Sequence, residues 1–83
     1  MPNALTELVH EKIRAGALPL DQPLKVWAGI GTGELCTVCE KPILRAQTQY
    51  EAEYYDERPA FRFHVGCHGL WEAERRRRGH LPK

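Results

Sequence analysis

The stretch "CTVCEKPI", residues 36–43, places Cys36 and Cys39 two residues apart. A loop this short lets two thiolates reach one ion, so it forms half of a tetrahedral four-ligand metal site. The matching half stands far downstream in "RFHVGC", residues 62–67, where His64 and Cys67 repeat the same spacing. The full pattern is Cys36-x2-Cys39-x24-His64-x2-Cys67. At the start of a helix, ligands three residues apart share one side of the first turn. The partial positive charge of that helix end also favours thiolate over thiol. Three sulfurs and one imidazole make a soft, closed set suited to a redox-inert ion. One structural Zn2+ is therefore expected on Cys36, Cys39, His64 and Cys67. His68 is the rival for the fourth position, but adjacent helical residues point about 100° apart, so His64 is preferred. His80 lies about 20 Å beyond Cys67 along a continuous helix and is out of reach. His10 reads as a surface histidine.

Between the two halves, "AQTQYEAEY" (residues 46–54) alternates with period two. Ala46, Thr48, Tyr50, Ala52 and Tyr54 fall on one face, and Gln47, Gln49, Glu51 and Glu53 on the other. That alternation predicts a half-buried strand. "YDERP" then supplies a turn and "AFRFH" a second strand, completing a β-hairpin. From about Val65 the chain reads as a helix with Leu70 and Trp71 inward and Gly79 at its end. Upstream, Asn3 is an expected N-cap for a helix carrying Leu5, Leu8, Val9 and Ile13 on one face, with Gly16 as its stop. "ALPLDQPL" holds two prolines and reads as an extended connector. A short strand is expected at Lys25–Ala28. Gly29, Gly31 and Gly33 then let the chain bend tightly or pass close to another backbone before the cysteines. Tyr50, Tyr54, Phe61, Phe63, Leu70 and Trp71 should form the core, with the first helix laid against it.

At 83 residues the chain allows one small domain. The expected division is a helix over 1–16, a Pro/Gly-rich connector over 17–35, a metal-binding unit over 36–79 and a tail over 80–83. Chains of this size often need a metal, disulfides or a partner to be stable. With 42% hydrophobic residues the sequence is too apolar to be wholly disordered. Three cysteines suit a disulfide framework poorly. The N-terminus has no signal-peptide pattern, and no stretch approaches the roughly 18 apolar residues of a spanning helix. A reducing, cytoplasmic setting without membrane contact is expected.

The order of cysteine knuckle, hairpin and helix with two ligands in its opening turn resembles the treble-clef zinc finger. "CEKPI" and "FHVGC" are most similar to the first zinc module of a LIM domain, over residues 36 to about 71. The chain also resembles small bacterial zinc-finger proteins. The LIM resemblance implies an α+β zinc finger that holds another protein. The departure from that pattern is clear: a LIM domain continues into a second four-ligand module, and here only His68 and His80 remain as further ligands.

Net charge is +1, but it is distributed unevenly, with Arg75, Arg76, Arg77 and Arg78 concentrated near the C-terminus. Four consecutive residues encircle a helix, so they form a collar. Glu72–Arg76 and Glu74–Arg78 are favourable i,i+4 pairs, and arginines complement the negative helix end. The alternative function is phosphate contact by this collar in a nucleic-acid-binding finger, giving affinity without sequence reading. An enzyme is not expected. Four protein ligands close the coordination sphere, Glu72 and Glu74 read as surface residues, and a zinc-bound Cys67 is no free nucleophile. The glycines of "GIGTGELC" lead into the cysteine loop and lack the G-K-[ST] of a phosphate loop.

Overall fold

Helix α1, Ala4–Arg14, turns Val9 and Ile13 into the core, with Leu5 and Leu8 at its border. It ends at Gly16, whose φ is +81°. There the N–H of Gly16 donates to the Ile13 carbonyl at 3.1 Å, and that of Ala17 to the Lys12 carbonyl at 2.8 Å. This is the paired closure that a left-handed residue makes possible and that glycine adopts without steric cost. Leu18 follows directly and is buried. The computed structural model describes residues 4–78. The N-cap expected at Asn3, the helix stop at Gly79 and the residue His80 lie outside them.

The sequence predicted a connector with one short strand ahead of the cysteines. Strand β1 instead runs Lys25–Ile30 and belongs to the main sheet. It pairs antiparallel with β2, Thr48–Glu53, which pairs antiparallel with β3, Phe61–His64, giving the order β1-β2-β3. The expected hairpin is thus the second and third strands of a three-stranded sheet. Helix α2, Val65–Arg77, crosses this sheet. The architecture is a small α+β fold of two helices and one antiparallel sheet.

Register explains the core. Tyr50 lies opposite Phe63, and Ala52 opposite Phe61. These residues share the face that meets α2, where the Phe63 ring stacks on Trp71 with centroids 4.8 Å apart. Phe63, Ala52 and Trp71 are all at 0% exposure. Trp71 donates its indole N–H to the Pro19 carbonyl at 2.9 Å, and the Tyr54 hydroxyl donates to the Asp21 carbonyl at 2.9 Å. The proline-rich segment is fastened by these two bonds. Val38 and Ile43, inside and after the cysteine loop, are also at 0% exposure. They join the core together with Leu18, and none of the three was expected there.

Gln49 departs from the strand alternation. It lies on the outer face yet is buried. Its side-chain oxygen accepts from the N–H and the hydroxyl of Thr32, each at 3.1 Å, and its amide donates to Glu51 at 2.9 Å. The loop after β1 folds over it. Among the described residues no helix is long and apolar enough to cross a membrane.

Candidate metal centre

Leu35 bridges Pro42, so the chain doubles back around the two cysteines. Within that loop the Cys36 N–H donates to the Lys41 carbonyl, and the Glu40 N–H donates to the Cys36 carbonyl, both at 2.9 Å. Glu40 has φ +61°, a left-handed conformation that a residue with a Cβ adopts at a cost of about 1–2 kcal/mol. Two of the upstream glycines have a visible reason. At Gly31 a Cβ would stand 2.0 Å from the Leu44 carbonyl oxygen, and Gly33 has φ +84°. A Cβ at Gly29 would meet nothing within 4 Å.

The end of β3 and the start of α2 carry the other two donors. His64 takes an extended conformation at the N-cap, and Cys67 is in the first turn of α2, buried. One donor atom each from Cys36, Cys39, His64 and Cys67 lies within 4.8 Å of all the others. A tetrahedral ion with metal–sulfur bonds of about 2.3 Å needs donors roughly 3.5–4 Å apart, so the set fits one ion. None of the three cysteines is in a disulfide.

The imidazole is oriented for the task. His64 Nε2 is 3.2 Å from the Pro42 carbonyl, which can only accept, so Nε2 carries the proton and Nδ1 keeps its lone pair. That Nδ1 lies 3.3 Å from Cys39 Sγ. A backbone carbonyl on the far ring nitrogen is the usual device that fixes a ligating histidine.

The sulfurs are in electrostatic conflict. Burial pushes the Cys36 thiol up, but backbone N–H groups of Cys39, His64 and Val38 outweigh it and hold its pKa at about 7. Cys67 is pushed up, first by burial and then by the negative charge of Cys36. Several thiolates this close need a cation among them, and a divalent metal removes the conflict.

His68 points elsewhere. It stacks on Tyr50 at 4.5 Å and meets Phe63 and Trp71 edge-on at 5.7 and 5.8 Å. Burial lowers its pKa. His68 is half-buried among these rings, and the histidine that stands with the three cysteines is His64.

The arginine collar is not uniform, contrary to expectation. Arg75 is 1% exposed. Its guanidinium covers the Trp71 ring at 4.8 Å, pairs with Glu72 and donates to the Leu20 carbonyl. Glu72 thus pairs with Arg75, three residues on, in place of the expected Arg76. Arg76, Arg77 and Arg78 are exposed. Glu74, read from the sequence as a surface residue, is 5% exposed and pairs with Arg77, Arg78 and His10. His10 accordingly links the two helices. Its long sequence separation from Glu74 left no local signal for that role.

Lys12 ties α1 to the cysteine loop, donating to the Thr37 carbonyl at 2.7 Å and to Glu40 at 2.5 Å. No protein-family model, curated protein or solved structure matches the chain.

Proposed function

We propose that this chain is a non-catalytic, zinc-stabilised binding module whose partner is another protein. The observation that supports it most is the convergence of three sulfurs and one ring nitrogen of His64 within 4.8 Å. Soft thiolates with one imidazole favour Zn2+ over the hard ions Mg2+ and Ca2+. Four protein donors complete a tetrahedron and leave no coordination position for water or substrate, as in structural sites. Knuckle, hairpin and helix follow in treble-clef order and resemble the first zinc module of a LIM domain.

The protein-partner reading follows from that resemblance. Supporting it are apolar side chains left in solvent beside the ligands. Leu35, just before Cys36, is 59% exposed; Val65, just after His64, is 51% exposed; and Leu44 is 56% exposed. Groups of this kind mark interaction surfaces. The apolar face of α1 is not among them, because Val9 and Ile13 are buried in the core. The proposed setting is the cytoplasm, where thiolates stay reduced.

Metal analysis with Co2+ substitution tests the centre. One zinc per chain and a tetrahedral, thiolate-rich cobalt spectrum are expected; an octahedral spectrum refutes it. The alternative, phosphate contact, rests on Arg76, Arg77 and Arg78 at the exposed end of α2. Titration with short DNA and RNA separates the two. Binding that collapses between low and physiological salt would put nucleic acid first.

A further inference from the structure

We infer that β1 is a dimerisation edge, through which two copies of this chain join their sheets antiparallel into one continuous sheet. Among the described residues β1 has a neighbour on one side only. All six of its residues are exposed. For an 83-residue chain that must bury apolar surface to fold, a strand reading KVWAGI is an unusual one to leave uncovered.

The open side has a definite hydrogen-bonding pattern. The N–H of Gly31 donates to the Gln47 carbonyl at 2.9 Å, in line with the pairing of Ile30 to Thr48. In an antiparallel ladder the pointing direction alternates. Lys25, Trp27 and Gly29 therefore direct their main-chain groups toward β2. Val26, Ala28 and Ile30 direct theirs outward, where no described residue receives them.

A second copy satisfies all three at once in a single register. With the two-fold axis at Ala28, each Ala28 faces its counterpart, and Val26 faces Ile30 of the second copy. Every outward N–H and carbonyl is then paired. Moving the axis by one residue along the strand leaves an outward group of Ile30 or Val26 without a partner inside β1. The side chains agree with this register. Val26 and Ile30 are 40% and 70% exposed and become apolar cross-strand neighbours. Trp27, 45% exposed, comes opposite Gly29 of the second copy, a position without a side chain to obstruct it. Lys25 comes opposite Gly31 of the second copy, so no like charges meet. With Leu24, 49% exposed, these side chains and the two strand edges would remove on the order of 1,000 Å2 in total, the lower bound of a specific interface.

The test is the mass of the full-length, zinc-loaded chain in solution by light scattering and sedimentation, from micromolar to millimolar concentration. A concentration-dependent dimer is expected; a monomer throughout that range overturns the inference. Ala28→Pro removes an outward N–H and leaves the β1–β2 ladder intact, so it should give a zinc-loaded monomer. Equal dimerisation of A28P overturns the inference. Should A28P fail to fold, charge substitutions decide instead. V26E alone and I30K alone should each weaken dimerisation at least tenfold. The V26E/I30K double variant should regain it, because each new acid faces a new base only across the proposed axis. A double variant as weak as the single ones overturns the register.

Discussion

The carboxylate of Glu74, in the last turns of α2, lies 2.9 Å from Nε2 of His10 in α1. It also accepts from Arg77 at 3.0–3.2 Å and from Arg78 at 2.5 Å. A buried carboxylate is costly unless its oxygens are satisfied by charged donors. Here one acid binds both helices of the fold and the end of α2 together.

That arrangement sets a pH dependence. Burial alone would raise the Glu74 pKa, but donation from Arg78, Arg77 and His10 outweighs it and holds it at about 2 against an ordinary value of 4.5. A lowered folded-state pKa gives stability that is complete above the ordinary value and lost as pH falls toward 2. Glu74→Gln should cost about 1–3 kcal/mol at neutral pH. Paired melts of the two zinc-loaded chains at pH 7 measure it, and the Glu74 carboxyl resonance should stay that of a carboxylate down to the pH at which acid displaces the metal. Proton uptake near the ordinary 4.5 while the fold persists would show that Glu74 acts through packing alone.

His68 and His64 should respond oppositely to alanine. The His68 ring fills space between Tyr50, Phe63 and Trp71. H68A should therefore keep one zinc per chain and lose about 1–3 kcal/mol of stability. H64A removes a donor from the cluster and should lower zinc content or affinity. Zinc loss in H68A with retention in H64A would exchange the two residues' roles.

Reading these residues from sequence worked where the signal was local. The strand over 46–54 was legible because its alternation has period two, and the close of α1 because a glycine follows its last apolar turn. The four candidate donors stood out because both halves of the cluster carry the same short spacing. What the sequence hid depended on distant partners. Arg75 looks like its three neighbours until the fold lays it over Trp71. Gln49 looks like any outward strand residue until Thr32 closes over it. A short strand was read at Lys25–Ala28 inside the connector, but its two further residues and its place in the main sheet were missed, since nothing in KVWAGI identifies its partner strand.

The glycines before the cysteines make a graded prediction. Gly31→Ala would drive a methyl group against the Leu44 carbonyl, where the space is 2.0 Å. Backbone must move to admit it, at about 3 kcal/mol. Gly29→Ala meets nothing within 4 Å and should stay within about 0.5 kcal/mol of the parent. Denaturant midpoints compare them directly. Equal effects would mean that the 43–47 turn shifts freely away from the end of β1.

Metal removal asks how much of the fold the centre holds. Structural zinc sites supply on the order of 10 kcal/mol. The net stability of a chain this long is about 4–12 kcal/mol. With zinc bound as proposed, the ion would contribute as much as the whole margin. The cysteine loop also supplies Val38 and Ile43 to the core and receives Lys12 from α1. Loosening it should carry both helices with it. Chelation at neutral pH is expected to abolish helical circular dichroism and the near-ultraviolet signal of buried Trp71 in one step, with recovery on adding Zn2+. If the Trp71 signal survives while the cysteine amides lose their protection from exchange, the α1–α2–sheet core stands by itself and the metal orders only residues 34–43. In that case C36S would stay folded, whereas coupling through Val38, Ile43 and Lys12 predicts that it unfolds.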